Sequence, residues 1–566
     1  MTRAISLFQS LPEHIIEKVL GFALETYGRD FERFPQSSLS IVHSCQRWRK
    51  VFIALTCTKL RLDYSEQDEF IFMLKDPPCG LEEPQFPIAN CVKTVIVQFE
   101  LTPYFHDADT VNSFMNSEYA NCVFDSARRL EIEYCQTTYD GSDGIYVNTS
   151  QETEHALENL KMFLLRFKGN MPNINAILFD WCFDVSEKVD HRFISAFDSM
   201  VSEVVAGVKD VEYSNKRDPA VLLQPNKSLF MDITHLRYTF FEEDPRGLEI
   251  IRRNSHSLQK LVADSMPGKA IDQMLYWDNG GCVVYSSLLE LEFNYSAQQI
   301  VSDTEDCSCH FPVLKKLSVY GADPVLSSAF FNGNKVLEHL GLWNTYDDAQ
   351  LINDQQRFKS YSFENLQHLA LSYKYNVEQG THINDPRAID RYSEFADTLI
   401  NASGRLSSFS LASSRYESKL VDILSNNSAA FVNIQKLKFT MTGMLFNDLI
   451  SVIRNCPQLQ TLQCSPINDY PSIDGIRDGD LVKHMETNMF PLSRYLTSLY
   501  LICEDCWRDH ETHMAMALLV VGCPRLAIIN CGLAGLDTLY SGLLNIASTD
   551  DFSNYSCRLK KIVPNK

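Results

Sequence analysis

At 566 residues the chain is too long for one compact core, so it holds several domains or one repeat array. Its 45% hydrophobic and 22% charged content is that of a folded chain rather than a disordered one. A net charge of -21 argues against a nucleic-acid binder, which needs a basic surface to displace counterions.

The first apolar stretch is broken by Glu13, His14, Glu17 and Lys18, so it suits neither a secretory leader nor a membrane span. The 17 cysteines are scattered and odd in number, which fits buried thiols in a reducing compartment better than a disulfide framework. The expected setting is the cytoplasm or the nucleus.

Residues 5–56 form the first predicted module. Ser10 and Glu13 have the spacing of a capping box, and Pro12 suits a first helical turn. Ile15, Ile16, Val19, Leu20, Ala23 and Leu24 then make an apolar stripe. After a polar loop, Leu39, Ile41 and Val42 mark a second helix, which leads into Cys45-Gln-Arg-Trp48-Arg-Lys-Val51. Residues 57–90 read as a linker stiffened by Pro77, Pro78, Pro84 and Pro87.

From residue 91 to the end one frame recurs: apolar, two variable residues, apolar, one variable residue, apolar. The clearest copies start at Leu314, Leu337, Leu366, Leu406, Ile434, Leu459, Leu496 and Leu526. Weaker copies start at Val92, Ala127, Ile174, Val208, Ile233, Leu258 and Leu288, and a partial one starts at Leu559. The frames follow each other at intervals of 23 to 47 residues, so several turns carry insertions. The last two apolar positions are two apart and share one face of a strand, while the first enters the core from the preceding bend. Short strands of this kind close no core alone, but stacked in parallel they share one. Met171, Phe311, Phe363, Phe431, Cys456 and Cys523 lie three residues before their frames, and helical patterns lead into several of them.

Two resemblances follow. The order Leu11-Pro12-x-x-Ile15-x-x-x-Val19-Leu20, loop, Leu39-x-x-Val42, Cys45-x-x-Trp48-Arg49-x-Val51 resembles the F-box. Cys456-Pro-Gln-Leu459 and Cys523-Pro-Arg-Leu526 resemble the cysteine-containing leucine-rich repeats common in F-box proteins, although the asparagine usual after the strand is mostly missing. The resemblance implies an α/β fold: a three-helix F-box, then a leucine-rich-repeat solenoid of about 16 repeats with strands on its concave side and helices on its convex side. It implies a substrate-recognition subunit of a Skp–cullin–F-box ubiquitin ligase, without catalytic residues, cofactor or metal of its own. Leu11, Pro12, Ile15, Ile16, Val19, Leu20, Leu39, Val42, Trp48 and Val51 would then lie at or beneath the contact with a Skp-type adaptor, and through it a cullin. The alternative is a ubiquitin-independent scaffold whose first helices only cap the repeats.

The variable frame positions would face the partner protein. They offer Arg237, His339, Trp343, His368, Lys436, Lys438 and Tyr500, with Tyr320 at a strand exit. Lys436 and Lys438 are a basic pair in an acidic chain and would suit an acidic target segment. No nucleotide-binding, kinase or nucleophile motif is found. His510-Glu-Thr-His513 lacks the spacing of a zinc-protease helix and reads as an exposed helical turn. Cys307, Cys309 and His310, or Cys503, Cys506 and His510, do not make a convincing tetrahedral set.

Overall fold

The computed structural model describes Pro12 and residues 14–18, 20, 51, 59–63, 92–99, 123–134, 151–181, 199–215, 231–240, 245–266, 268–277, 280–295, 310–320, 330, 334–345, 363–373, 386–403, 405–413, 428–441, 444–464, 467–469, 487, 490–501, 510–530, 541–548 and 554. The chain forms two compact units, residues 1–264 and 265–566.

In the first unit seven strands lie side by side in chain order: β1 Lys59–Asp63, β2 Thr94–Phe99, β3 Arg129–Tyr134, β4 Ala176–Trp181, β5 Asp210–Asn215, β6 His235–Thr239 and β7 Lys260–Met266. Every neighbouring pair is parallel. Within the second unit β8 Glu290–Tyr295, β9 Lys316–Tyr320, β10 His339–Thr345, β11 His368–Tyr373, β12 Ser408–Ser413 and β13 Lys436–Met441 are likewise neighbours in chain order and parallel. They are followed by β15 Thr461–Cys464, β17 Ser498–Leu501 and β18 Ile528–Asn530. The short strands β14 Met444–Leu445 and β16 Ile467–Asp469 pair separately, also in parallel.

The repeated frame sets this register. Leu317, Leu340, Leu369, Phe409, Leu437, Leu462 and Leu499 are successive partners, and so are Val319, Leu342, Leu371, Leu411, Phe439, Cys464 and Leu501. Fifteen of the sixteen frames coincide with strands, and the copy at Leu559 lies outside the described residues. The leading frame residue is buried in each of these fifteen except Ile174, which is half-buried. The ladder also begins earlier than residue 91. β1 falls inside the stretch read as a linker and pairs with β2 through Leu60↔Val95 and Leu62↔Val97. Its sequence, Cys57-x-x-Leu60-x-Leu62, fits the same frame.

The bend before several of the strands is a turn closed by a backbone bond. The amides of Ile174, Leu314, Leu366, Ile434, Leu459 and Leu526 donate to the carbonyls of Met171, Phe311, Phe363, Phe431, Cys456 and Cys523. Pro172, Pro312, Pro457 and Pro524 occupy the second turn position, where a fixed φ is favourable. The upstream side chains are all buried, and those of Phe311 and Tyr285 stack at 5.2 Å between centroids. One residue ahead of most strands, a carbonyl accepts two amides from the next turn: Glu338 O takes those of Gln367 and His368, and Gln367 O takes those of Ser407 and Ser408. Asparagines also bridge successive bends. Asn254 accepts from the Ile233 amide (3.0 Å) and donates to Ile250 O (2.8 Å), and Asn334 donates to Leu314 O (3.1 Å).

Helices return the chain between strands. They include α1 Gln151–Gly169, α2 Pro245–Arg253, α3 Gly268–Leu275, α4 Pro386–Ala402, α5 Ser428–Phe431, α6 Phe446–Asn455 and α7 His510–Gly522. Leu160, Phe163, Leu164 and Phe167 make the buried stripe of α1, and Phe395, Ala396, Leu399 and Ile400 that of α4. α7 is buried almost all round, from Met516 to Val521. The expected exposed turn at His510–His513 is therefore corrected at its second histidine: His513 is buried against Gly542, which leaves no room there for a Cβ. Among the described residues no helix is long and apolar enough to cross a membrane.

At the N terminus residues 14–18 are helical, and the Ile15 and Ile16 amides donate to Pro12 O at 2.9 and 3.2 Å. This agrees with Pro12 opening a helix. Leu11, Val19, Leu39, Val42 and Trp48 lie outside the described residues or side chains, so the structure describes one turn of the expected three-helix head.

Candidate protein-binding surface

The frame buries one face of each strand, so the alternate positions form three rows on the opposite, open face. In the first unit those rows carry a closed charge network. Arg129 on β3 pairs with Glu131 (2.7 Å) and with Glu212 on β5 (2.8 Å). It crosses β4, whose positions in these rows are Ala176 and Leu178, which offer no competing charge. Arg237 on β6 pairs with Asp264 on β7 (2.9 Å) and lies 3.5 Å from Glu212. Burial lowers the Arg129 pKa, but hydrogen bonds to Glu212 and Glu131 outweigh it and leave the value raised. Arg237, a candidate anchor for a partner, is thus held by two carboxylates of its own chain.

The second unit differs. Its middle row runs Glu292, Ser318, Gly341, Ala370, Ser410 and Lys438 from β8 to β13. Four small residues in succession make a low floor. On one side lie Lys316, His339, His368 and Ser408, and on the other Tyr320, Trp343, Ser372 and Ala412.

The register places four of the sequence candidates around this floor in two stacked pairs. The rings of Tyr320 and Trp343 stack with centroids 5.8 Å apart and planes 9° apart. Those of His339 and His368 stack at 4.1 Å and are parallel. A bulge re-aims Trp343: β10 and β11 pair in step to Leu342↔Leu371 and resume at Thr345↔Tyr373, so β10 carries one extra residue. The indole lies against Gly341, where an added Cβ would come within 2.8 Å of Nε1. The Nε1–H and the Ser410 hydroxyl are both buried, with no hydrogen-bond partner among the described residues. Burial holds His339 and His368 below the ordinary histidine value, and it raises the Tyr320 pKa, with Glu292 adding to the rise.

The two ends of the floor carry opposite charge. Glu290 and Glu292 stand on β8, and Lys436 and Lys438 on β13. Lys316 approaches Glu290 at 3.7 Å, whereas Glu292, Lys436 and Lys438 have no ion-pair partner among the described residues. Tyr500, in the same row on β17, is half-buried two strands further on.

The remaining candidates divide by burial. At the N terminus Ile16, Leu20 and Val51 are buried, Ile15 is half-buried and Pro12 is exposed. Cys456 and Cys464 are buried in the ladder, and burial pushes both thiols up to about 12, so neither is a ready nucleophile or metal ligand. His310 is buried, with Nδ1 2.8 Å from Val283 O, while Cys307, Cys309, Cys503 and Cys506 lie outside the described residues. Among the described residues no three His, Cys, Asp or Glu side chains are grouped to hold a metal ion.

Sequence reading alone missed the small-residue floor. Its signal is a column of Ser, Gly, Ala and Ser at the variable position between the last two apolar residues of four successive frames. In comparison with known proteins, no family model matches the chain and no curated protein is significantly similar to it.

Proposed function

We propose that the protein is the substrate-recognition subunit of a Skp–cullin–F-box ubiquitin ligase, working in the cytoplasm or nucleus. The F-box-like order of residues in segment 5–56, in front of a one-strand-per-frame parallel ladder, carries this reading. The N-terminal helices dock a Skp-type adaptor, and an exposed Pro12 beside a half-buried Ile15 suits such a contact. The open face of the second unit holds the target protein. Ubiquitin transfer belongs to other subunits, so this chain supplies binding and positioning and no catalytic group.

The direct test is co-purification of the full chain with a Skp-type adaptor. The adaptor should be retained by the wild type and lost from the Leu11→Ala/Pro12→Ala variant. A folded wild-type chain that retains no adaptor would refute the proposal. One observation favours a second reading, a repeat scaffold without ligase function: Ile16 and Leu20 are already buried within the chain, as in helices that cap a repeat array. That reading predicts no adaptor, with other partners unaffected.

A further inference from the structure

We infer that the open face of β8–β13 binds an extended polypeptide segment laid across the strands, its carboxylate side chains against Lys436 and Lys438 and a basic side chain, several residues away, against Glu292. This rests on the reading of that face as the recognition surface and adds the chemistry and polarity of what it takes.

The argument starts from charge. In a chain of net charge -21, two unpaired lysines at one end of a floor and an unpaired glutamate at the other form a dipolar strip. Five strand spacings separate the poles, roughly 24 Å at ~4.8 Å each. A single small molecule does not bridge that distance, whereas about seven residues of extended chain do, at ~3.3 Å per residue.

The floor between the poles is low, with Ser318 and Gly341 buried and Ala370 and Ser410 half-buried. Gly341 is covered by Trp343, but Ala370 and Ser410 carry almost no side chain and stand between the His368 and Trp343 sides of the strip. The buried Ser410 hydroxyl has unmet hydrogen-bonding capacity at this place. The aromatic pair offers a flat apolar wall of the kind that anchors interfaces. The interior strands have no free edge, so the segment lies on side chains and does not add a strand.

No arginine occupies these rows of β8–β13, so the basic pole meets its anion through the point charges of two lysines rather than a planar fork, and the anion that an unmodified polypeptide supplies is the carboxylate of Asp or Glu.

The test selects phage-displayed random dodecapeptides on the immobilised full chain, on a Lys436→Glu/Lys438→Glu variant and on a Glu292→Lys variant. Both variants change surface charges and are checked for retained fold by circular dichroism. Wild-type selections should be enriched in Asp or Glu lying about six or seven positions from Lys or Arg. The lysine reversal should abolish the acidic preference and weaken the best synthetic peptide at least tenfold by fluorescence anisotropy. Glu292→Lys should abolish the basic preference alone. Ala370→Trp, which fills the floor, should weaken the same peptide. Selections without charge pattern, identical patterns on the lysine reversal, or no enrichment over a blank surface would overturn the inference. Adaptor binding reports separately on the ligase reading: adaptor retained without peptide polarity sinks only the inference, and polarity without adaptor sinks only the ligase.

Discussion

The imidazole of His339 lies parallel to that of His368, with ring centroids 4.1 Å apart, on adjacent strands of the second unit. A stacked pair this close tolerates two neutral rings and resists two cations. Burial is the main cause of the low pKa of both. Lys316 lowers His339 further while Glu338 and Glu290 oppose it, and His339 and Lys436 lower His368 while Glu338 opposes it.

The folded values lie below the unfolded one, so the unfolded chain takes up protons first as pH falls. The stability from this pair is therefore complete above the ordinary histidine pKa of ~6.5 and is lost as pH drops below it towards the folded values. Thermal melting at about pH 7.5 and about pH 5.5 should show a smaller acid-induced fall in Tm for His339→Gln/His368→Gln than for the wild type. An equal fall would show that the pair does not titrate in this range.

Truncation of the leading frame residue should separate deep from shallow positions. Leu314 is fully buried, so Leu314→Ala should cost about 2–5 kcal/mol in chemical denaturation. Ile174 occupies the same frame position but is only half-buried, and Ile174→Ala should cost less, about 1–2 kcal/mol.

Gly341 holds its place because of the side chain above it. In Gly341→Ala the new methyl would meet the indole of Trp343 and approach Ser318 Oγ at 3.4 Å, so the Trp343–Tyr320 stack must shift. A change in tryptophan emission with a loss of about 1–3 kcal/mol is expected. The emission change should vanish in a Trp343→Phe background.

Asn254 is the most deeply committed of the bridging asparagines. Asn254→Ala would leave the Ile233 amide without its acceptor in a buried bend, at a cost of about 1–3 kcal/mol. Hydrogen exchange should speed up first at the Ile233 amide.

The strand ladder was legible because its core face has period two and each strand is announced by an apolar residue at the bend. β1 is masked in the sequence although Cys57, Leu60 and Leu62 fit the frame, because Pro77, Pro78, Pro84 and Pro87 give the stretch after it the look of a linker. Partnerships across turns were not legible. Nothing around Arg237 announces that Glu212, 25 residues earlier, and Asp264, 27 residues later, will close on it, since register alone brings them together. The sequence marks Trp343, His339 and His368 one at a time and Lys436 with Lys438 as a separate basic pair. That they share a strip follows from strands that lie side by side, and the bulge that turns Trp343 over Gly341 has no local signature. The burial of His513 has no local signal because its cover, Gly542, is distant in sequence, although the apolar run from Met514 to Val521 fits a helix without a wet face.

The carbonyl that collects two amides at the start of most strands has an evolutionary corollary. It sets alignment locally, where one winding meets the next, and ignores how far the chain travels in between. Return paths can therefore lengthen or shrink for little more than loop-closure entropy, about 0.6 kcal/mol per doubling. A lineage built on this scaffold can graft, trim or exchange those excursions and leave the lettered face of the strands undisturbed.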